Sequence, residues 1–167
     1  MSLPAADQRH DILIVDDHEL VRLGLRTLLA TQAQEMASAP TVLEAASLAE
    51  ALRVHEAHQD AIALVLLDLH LPDAHGLSGL REFLARFPDA RVVALSGDND
   101  PSLVRAAVAA GAVAYLSKSG QMADVVDYVK ALAASAPGVA TSANDSAGGG
   151  RVVQTRDGEQ ATASNCA

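Results

Sequence analysis

The sequence predicts a doubly wound α/β domain, a five-stranded parallel sheet flanked by five helices, over residues 11–134. Three observations carry this. Five short runs of Val, Ile, Leu and Ala alternate with five longer segments whose apolar residues recur every three to four positions. The run from Ile62 to Leu67 is apolar throughout, as a strand covered on both faces is, instead of alternating as a half-exposed strand does. Polar residues able to do chemistry then follow the runs at once, which is where open parallel sheets place their ligand sites.

The first strand is Asp11-Ile12-Leu13-Ile14-Val15, ending in Asp16-Asp17. A helix follows from His18, with Val21, Leu25, Leu28 and Leu29 on one stripe, and Thr31 to Ala39 reads as a loop. Thr41 to Ala45 is a weak second strand. Ser47-Leu48-Ala49-Glu50 has capping-box spacing and opens a helix with Leu48, Ala51 and Leu52 inward. The third strand runs into Asp68, and Pro72 prevents its continuation. After a loop from Asp73 to Gly76, Leu77, Leu80, Leu84 and Phe87 form the next stripe, stopped by Pro88.

Arg91 to Leu95 is the fourth strand, ended by Ser96. Asp100 caps the following helix, Pro101 takes its first position, and Gly111 stops it in the left-handed conformation. Val104, Ala107 and Val108 face inward. Ala112 to Leu116 is the fifth strand, followed by Ser117-Lys118, and Ser119 is placed to cap a last helix striped by Met122, Val125, Val126, Val129 and Leu132. Residues 1–10 read as a loose leader. Residues 135–167, dominated by Gly, Ala, Ser and Thr, read as a disordered tail too poor in apolar surface to offset the entropy of ordering.

The totals exclude several classes. A net charge of −9 and a pI near 4.9 make direct nucleic-acid binding unfavourable, because phosphate neutralisation drives such binding. No apolar run has membrane-spanning length. The single Cys166 precludes an internal disulfide framework and fits a cytoplasmic location. His55 and His58 lie three apart on a helix, but no Cys or third His nearby in sequence completes a zinc set.

In a parallel sheet the strand ends share one edge, so Asp16, Asp17, Asp68, Ser96 and Lys118 are expected in one cleft. Three carboxylates there repel by roughly 4 kcal/mol per pair at 4 Å and an effective dielectric near 20. Lys118 supplies one compensating charge. A hard divalent ion, naturally Mg²⁺, supplies the rest. A carboxylate nucleophile, a metal, a lysine and a hydroxyl suit phosphoryl transfer.

The stretches Val15-Asp16-Asp17-His18-Glu19-Leu20, Leu67-Asp68-Leu69-His70-Leu71-Pro72, Ala94-Leu95-Ser96 and Ala114-Tyr115-Leu116-Ser117-Lys118, in this order, resemble the receiver domain of two-component response regulators. Glu19 to Leu25 and Val104-Arg105-Ala106-Ala107 look like the LuxR/NarL branch of that family. The resemblance covers residues 10–134 and implies the flavodoxin-like receiver fold, strand order 2-1-3-4-5. It further implies that Asp68 accepts a phosphoryl group from a phosphohistidine of a sensor histidine kinase. Asp17 then binds Mg²⁺ directly, Asp16 through water, and the His70 backbone carbonyl completes the protein ligands with Asp68. Lys118 pairs with Asp68 and then with the phosphoryl group, Ser96 donates its hydroxyl to it, and Tyr115 is the switch aromatic that turns inward. The output is an altered surface on the last two helices and strand five, read by an unknown domain or protein or by a second copy in a homodimer.

The sequence departs from that pattern in three places. Ser96 replaces the commoner Thr, Ser119 replaces a common Pro and leaves the Lys118–Ser119 bond geometry open, and no helix-turn-helix pattern follows residue 134. His70 and Asp98, each two residues beyond a pocket residue, are expected to approach one another at the rim and govern water access to the aspartyl phosphate. Asp73 reads as a solvated loop acid. The expected activity is that of a phosphoacceptor switch acting on its own Asp68, not a turnover enzyme. The readings set against it are the receiver part of a DNA-binding transcriptional regulator, a Mg²⁺-dependent phosphohydrolase with an aspartyl-phosphate intermediate, and an adaptor with a vestigial site. The second wants two Asp separated by one residue, whereas Asp16 and Asp17 are adjacent.

Overall fold

A computed structural model describes residues 9–34, 40–120 and 122–134. The leader, apart from Arg9 and His10, and the tail lie outside the described residues. The elements are β1 (Asp11–Val15), α1 (Glu19–Ala33), β2 (Val42–Ala45), α2 (Leu48–His58), β3 (Ile62–Asp68), β4 (His70–Leu71), β5 (Ala74–His75), α3 (Leu77–Arg86), β6 (Val92–Ser96), α4 (Pro101–Ala110), β7 (Ala114–Ser117) and α5 (Met122–Ala134). The main sheet is parallel throughout, ordered β2-β1-β3-β6-β7, and β4 pairs antiparallel with β5 in a two-stranded ribbon beside it. Leaving the ribbon uncounted, this is the expected order.

Successive residues of each strand face opposite sides, so the sheet divides the core in two. Leu13, Val15, Val65, Leu67, Val92 and Ala94 pack under α2, α3 and α4 with Leu48, Ala51, Leu80, Phe83, Val104 and Ala107. Ile12, Ile14, Leu64, Leu66, Val93 and Leu95 pack under α1 and α5 with Leu25, Leu29, Val125, Val126 and Val129. Complete burial of each such Val or Leu contributes about 1.5–3 kcal/mol. That is why β3, covered on both faces, carries no polar residue before Asp68.

The helix ends follow the local sequence. Ser47 accepts the Glu50 amide at 3.2 Å, while the Glu50 carboxylate accepts the Ala46 amide at 2.8 Å. Asp100 accepts the Ser102 amide at 2.9 Å ahead of Pro101, and Gly111 ends α4 at φ +117°. An L-residue there would be strained, and its Cβ would meet Leu84 Cδ1 at 2.9 Å.

Four local expectations are corrected. Helix α1 continues through Thr31 to Ala33, with the hydroxyls of Thr27 and Thr31 satisfied by the carbonyls four residues earlier. Ser119 does not cap α5; its hydroxyl pairs with Ser117 at 2.7 Å and accepts from Asn99 at 3.1 Å, and the helix starts at Met122. The segment Asp73 to Gly76 is not all loop, since Ala74–His75 forms half of the ribbon. Phe83, outside the expected stripe of α3, is fully buried.

Candidate functional site

The order β2-β1-β3 places β1 and β3 side by side at the point where the winding reverses, and the crevice there is where this architecture binds ligands. Asp16 and Asp17 follow β1, Asp68 ends β3, Ser96 ends β6, and Lys118 follows β7. The register pairs Ser96 with Ser117, and the Lys118 amide donates to the Ser96 carbonyl at 2.7 Å. Lys118 therefore leaves the sheet aimed across β6 toward β3.

Its ammonium bridges two buried carboxylates. Nζ lies 2.7 Å from Asp68 Oδ2 and in contact with Asp16 Oδ2. Those two oxygens have no partner other than this ammonium among the described residues. Asp16 Oδ1 accepts the His18 amide at 2.9 Å, and Asp68 Oδ1 accepts the His70 amide at 3.0 Å. Burial raises the Asp68 pKa despite the opposing pull of Lys118 and the His70 amide. Burial would lower the Lys118 pKa, but Asp16 and Asp68 outweigh it and the ammonium is held more firmly than usual.

Carboxylate oxygens of Asp16, Asp17 and Asp68, with the His18 imidazole, all lie within 4.8 Å of one another. Two buried acids and one at the surface, opposed by a single lysine, leave excess negative charge. Hard oxygen donors so arranged fit an ion such as Mg²⁺. His18 went unassigned in the sequence, yet its Nδ1 is 3.0 Å from both Asp16 Oδ1 and Asp17 Oδ1. Arg22 was missed too; its Nη1 donates to the Asp16 carbonyl at 2.6 Å and so fixes the backbone of the acid pair. The signal for both was their place in the first turns after the acid pair, within reach of Asp16.

Ser96 is fully buried, and its Oγ accepts the Asp98 amide at 3.1 Å. Tyr115 is buried with its ring inward, and its hydroxyl donates to the Asp98 carbonyl. The Lys118–Ser119 bond is trans.

His70 and Asp98 are exposed, and no hydrogen bond or ion pair joins them; the Asp98 carboxylate instead accepts the Asp100 amide at 3.1 Å as a turn acid. Asp73 is not merely solvated, for its carboxylate accepts the Leu48 and Ala49 amides, both at 2.9 Å, at the start of α2. Its small burial would raise its pKa, but these amides lower it below the ordinary carboxylate range.

The family model described as the response regulator receiver domain matches residues 12–130. A Bacillus subtilis protein described as an uncharacterized transcriptional regulatory protein, YhcZ, is 38% identical over 115 residues, covering 69% of this chain and 51% of that protein. The Mycobacterium tuberculosis DNA-binding transcriptional activator DevR/DosR is 36% identical over 120 residues, covering 71% and 52%. The chain thus spans about half the length of the curated relatives it matches. Among solved structures, a LuxR-family two-component response regulator from Aurantimonas sp. SI85-9A1 aligns with TM-score 0.63 and 30% identity, covering 74% of this chain and 84% of that one. A receiver domain from Clostridium thermocellum aligns with TM-score 0.62 and 27% identity, covering 72% and 91%. The chain belongs to the response regulator receiver family.

Proposed function

We propose that this receiver domain is phosphorylated on Asp68 by a sensor histidine kinase and relays that event as a change of surface. The observation that carries the reading is Lys118 Nζ, held against both Asp68 and Asp16 at the switch point of the sheet. An Asp68 carboxylate oxygen attacks phosphorus, the phosphorus–nitrogen bond of the donor breaks, and the imidazole leaves with the bonding electron pair. Lys118 then moves its charge from the carboxylate to the phosphoryl oxygens. Ser96, at the end of β6, turns its hydroxyl proton toward a phosphoryl oxygen, which shifts the Oγ that accepts the Asp98 amide and loosens the turn that Tyr115 also holds. Asp16, Asp17, Asp68 and the His70 carbonyl would hold Mg²⁺, which when bound neutralises charge on the phosphoryl group.

The same residues position water for loss of the phosphoryl group, so the domain catalyses its own resetting. His70 and Asp98, each two residues beyond a pocket residue, influence water access to the aspartyl phosphate and so its lifetime. The described relatives are transcriptional regulators, which supports a transcriptional output, in a cytoplasmic setting, through an attached domain, a partner or a homodimer. Among the described residues no helix is long and apolar enough to cross a membrane.

Incubation of the full chain with acetyl phosphate and Mg²⁺, followed by intact-mass measurement, gives one phosphoryl adduct on the parent and none on Asp68→Asn. An adduct that persists in Asp68→Asn, or none on the parent, overturns the proposal. A gel shift with this acidic chain alone is expected to show no DNA binding.

A further inference from the structure

The ribbon beside the acceptor places two histidines opposite one another. Strands β4 and β5 pair antiparallel with His70 against His75 and Leu71 against Ala74. Leu71 and Ala74 are buried and both histidines are exposed, so the ribbon turns its apolar side to the core and its imidazole side to solvent. Residues directly opposite on one face of such a pair have Cβ atoms about 4.5–5.5 Å apart. Two imidazoles at that separation can close on one ion at the usual metal–nitrogen distance of about 2.0–2.1 Å.

The ribbon is fixed on three sides. Asp73, in its turn, holds the Leu48 and Ala49 amides of α2. The Ser78 hydroxyl donates to the His75 carbonyl at 2.7 Å, and the His70 amide donates to Asp68 Oδ1 at 3.0 Å. Neither imidazole makes a hydrogen bond or ion pair among the described residues, so ring nitrogens are free for a ligand.

We infer that His70 and His75 form a two-point clamp for a divalent transition metal that favours imidazole, such as Zn²⁺ or Ni²⁺, with water filling the other positions. Mg²⁺, which prefers oxygen, does not compete there. The clamp ties together both strands of the loop that holds the acceptor through the His70 amide. It is separate from the acid pocket, since it uses the His70 side chain and not its carbonyl, and it stands whether or not Asp68 is phosphorylated.

The test is calorimetric titration of the full chain with Zn²⁺ in Mg²⁺ buffer, with parallel variants because Zn²⁺ also suits the His18 and carboxylate cluster. The equivalent held by the ribbon is expected to be weakened about tenfold or more in His75→Asn, by the scale of metal-site mutations. His18→Asn and Asp68→Asn are expected to bind it as the parent does. Equal affinity in parent and His75→Asn overturns the clamp, and so does a loss confined to His18→Asn or Asp68→Asn, which would put the metal in the acid pocket. Far-ultraviolet circular dichroism checks that His75→Asn is folded. Ni²⁺ broadening of amide resonances, centred on residues 70 and 75 in the parent, locates the site directly; broadening centred on Asp16 to His18 overturns it.

Discussion

At the carboxyl edge of the sheet, Asp16 and Asp68 are buried against Lys118; between α2 and α3, His55 is buried against Phe83 and Phe87 with no ionic partner. Both places take an ionisable group out of water, and they meet the cost differently. The edge keeps its charges by pairing them and by leaving Asp17 at the surface. The seam keeps none: the rings lie 5.1 and 4.2 Å from the His55 centroid, its Nδ1 is unpartnered, and burial lowers its pKa, with Arg9 adding a little. Charge is retained at the strand ends, where the proposed phosphoryl acceptor lies, and suppressed where packing alone is at stake.

The strongest way to break that contrast is Lys118→Met, which leaves two buried carboxylates without a cation. Loss of one partner from a buried pair costs about 3–5 kcal/mol, so a urea melt in Mg²⁺-free buffer should fall by that order, with part regained on adding Mg²⁺. An unchanged melt would mean that the acids rely on solvent and not on Lys118. Next in size is Phe83→Ala, which empties the centre of the seam and should cost about 3 kcal/mol in the same melt while leaving Asp68 labelling by acetyl phosphate intact.

His55→Leu sharpens the contrast in the opposite direction. Removing an orphaned buried nitrogen should stabilise by about 1 kcal/mol at neutral pH. The native His55 pKa lies below its unfolded value near 6.5, so the unfolded chain takes the proton first. Parent stability therefore falls as pH drops below about 6.5 and toward the lowered native pKa, and the advantage of the Leu variant should widen through that window. Parallel stability–pH curves would show that the imidazole is not held neutral.

The smallest effect is Asp73→Ala, a cap lost at a helix start, at about 1 kcal/mol. The native pKa of Asp73 is depressed, so this stability is present above the ordinary carboxylate pKa and is lost as pH falls through the lowered one. A melt difference that persists unchanged into strong acid would point to packing instead.

The strand-to-helix alternation, the Asp100-Pro101 start and the Gly111 stop of α4, and the collection of Asp16, Asp17, Asp68, Ser96 and Lys118 at strand ends were all readable in the chain. Each depends on a period of two or 3.6 residues, or on neighbours within one turn. Ser119 misled because its hydroxyl had the right spacing for a cap but found Ser117 and Asn99 first. Asp73 misled because its partners, the Leu48 and Ala49 amides, precede it by more than twenty residues.

The sequence by itself determined the five strands of the main sheet, most of the apolar faces and which strand ends carry acid, base or hydroxyl, since local sterics and hydrophobic spacing dictate these. Only the tertiary structure decided that Lys118 reaches Asp16 as well as Asp68, that Asp73 caps a helix it does not belong to, and that His70 faces His75. Those contacts depend on sheet order and on the pairing of short strands, set by how the two apolar layers close over the sheet and by no residue's immediate neighbours.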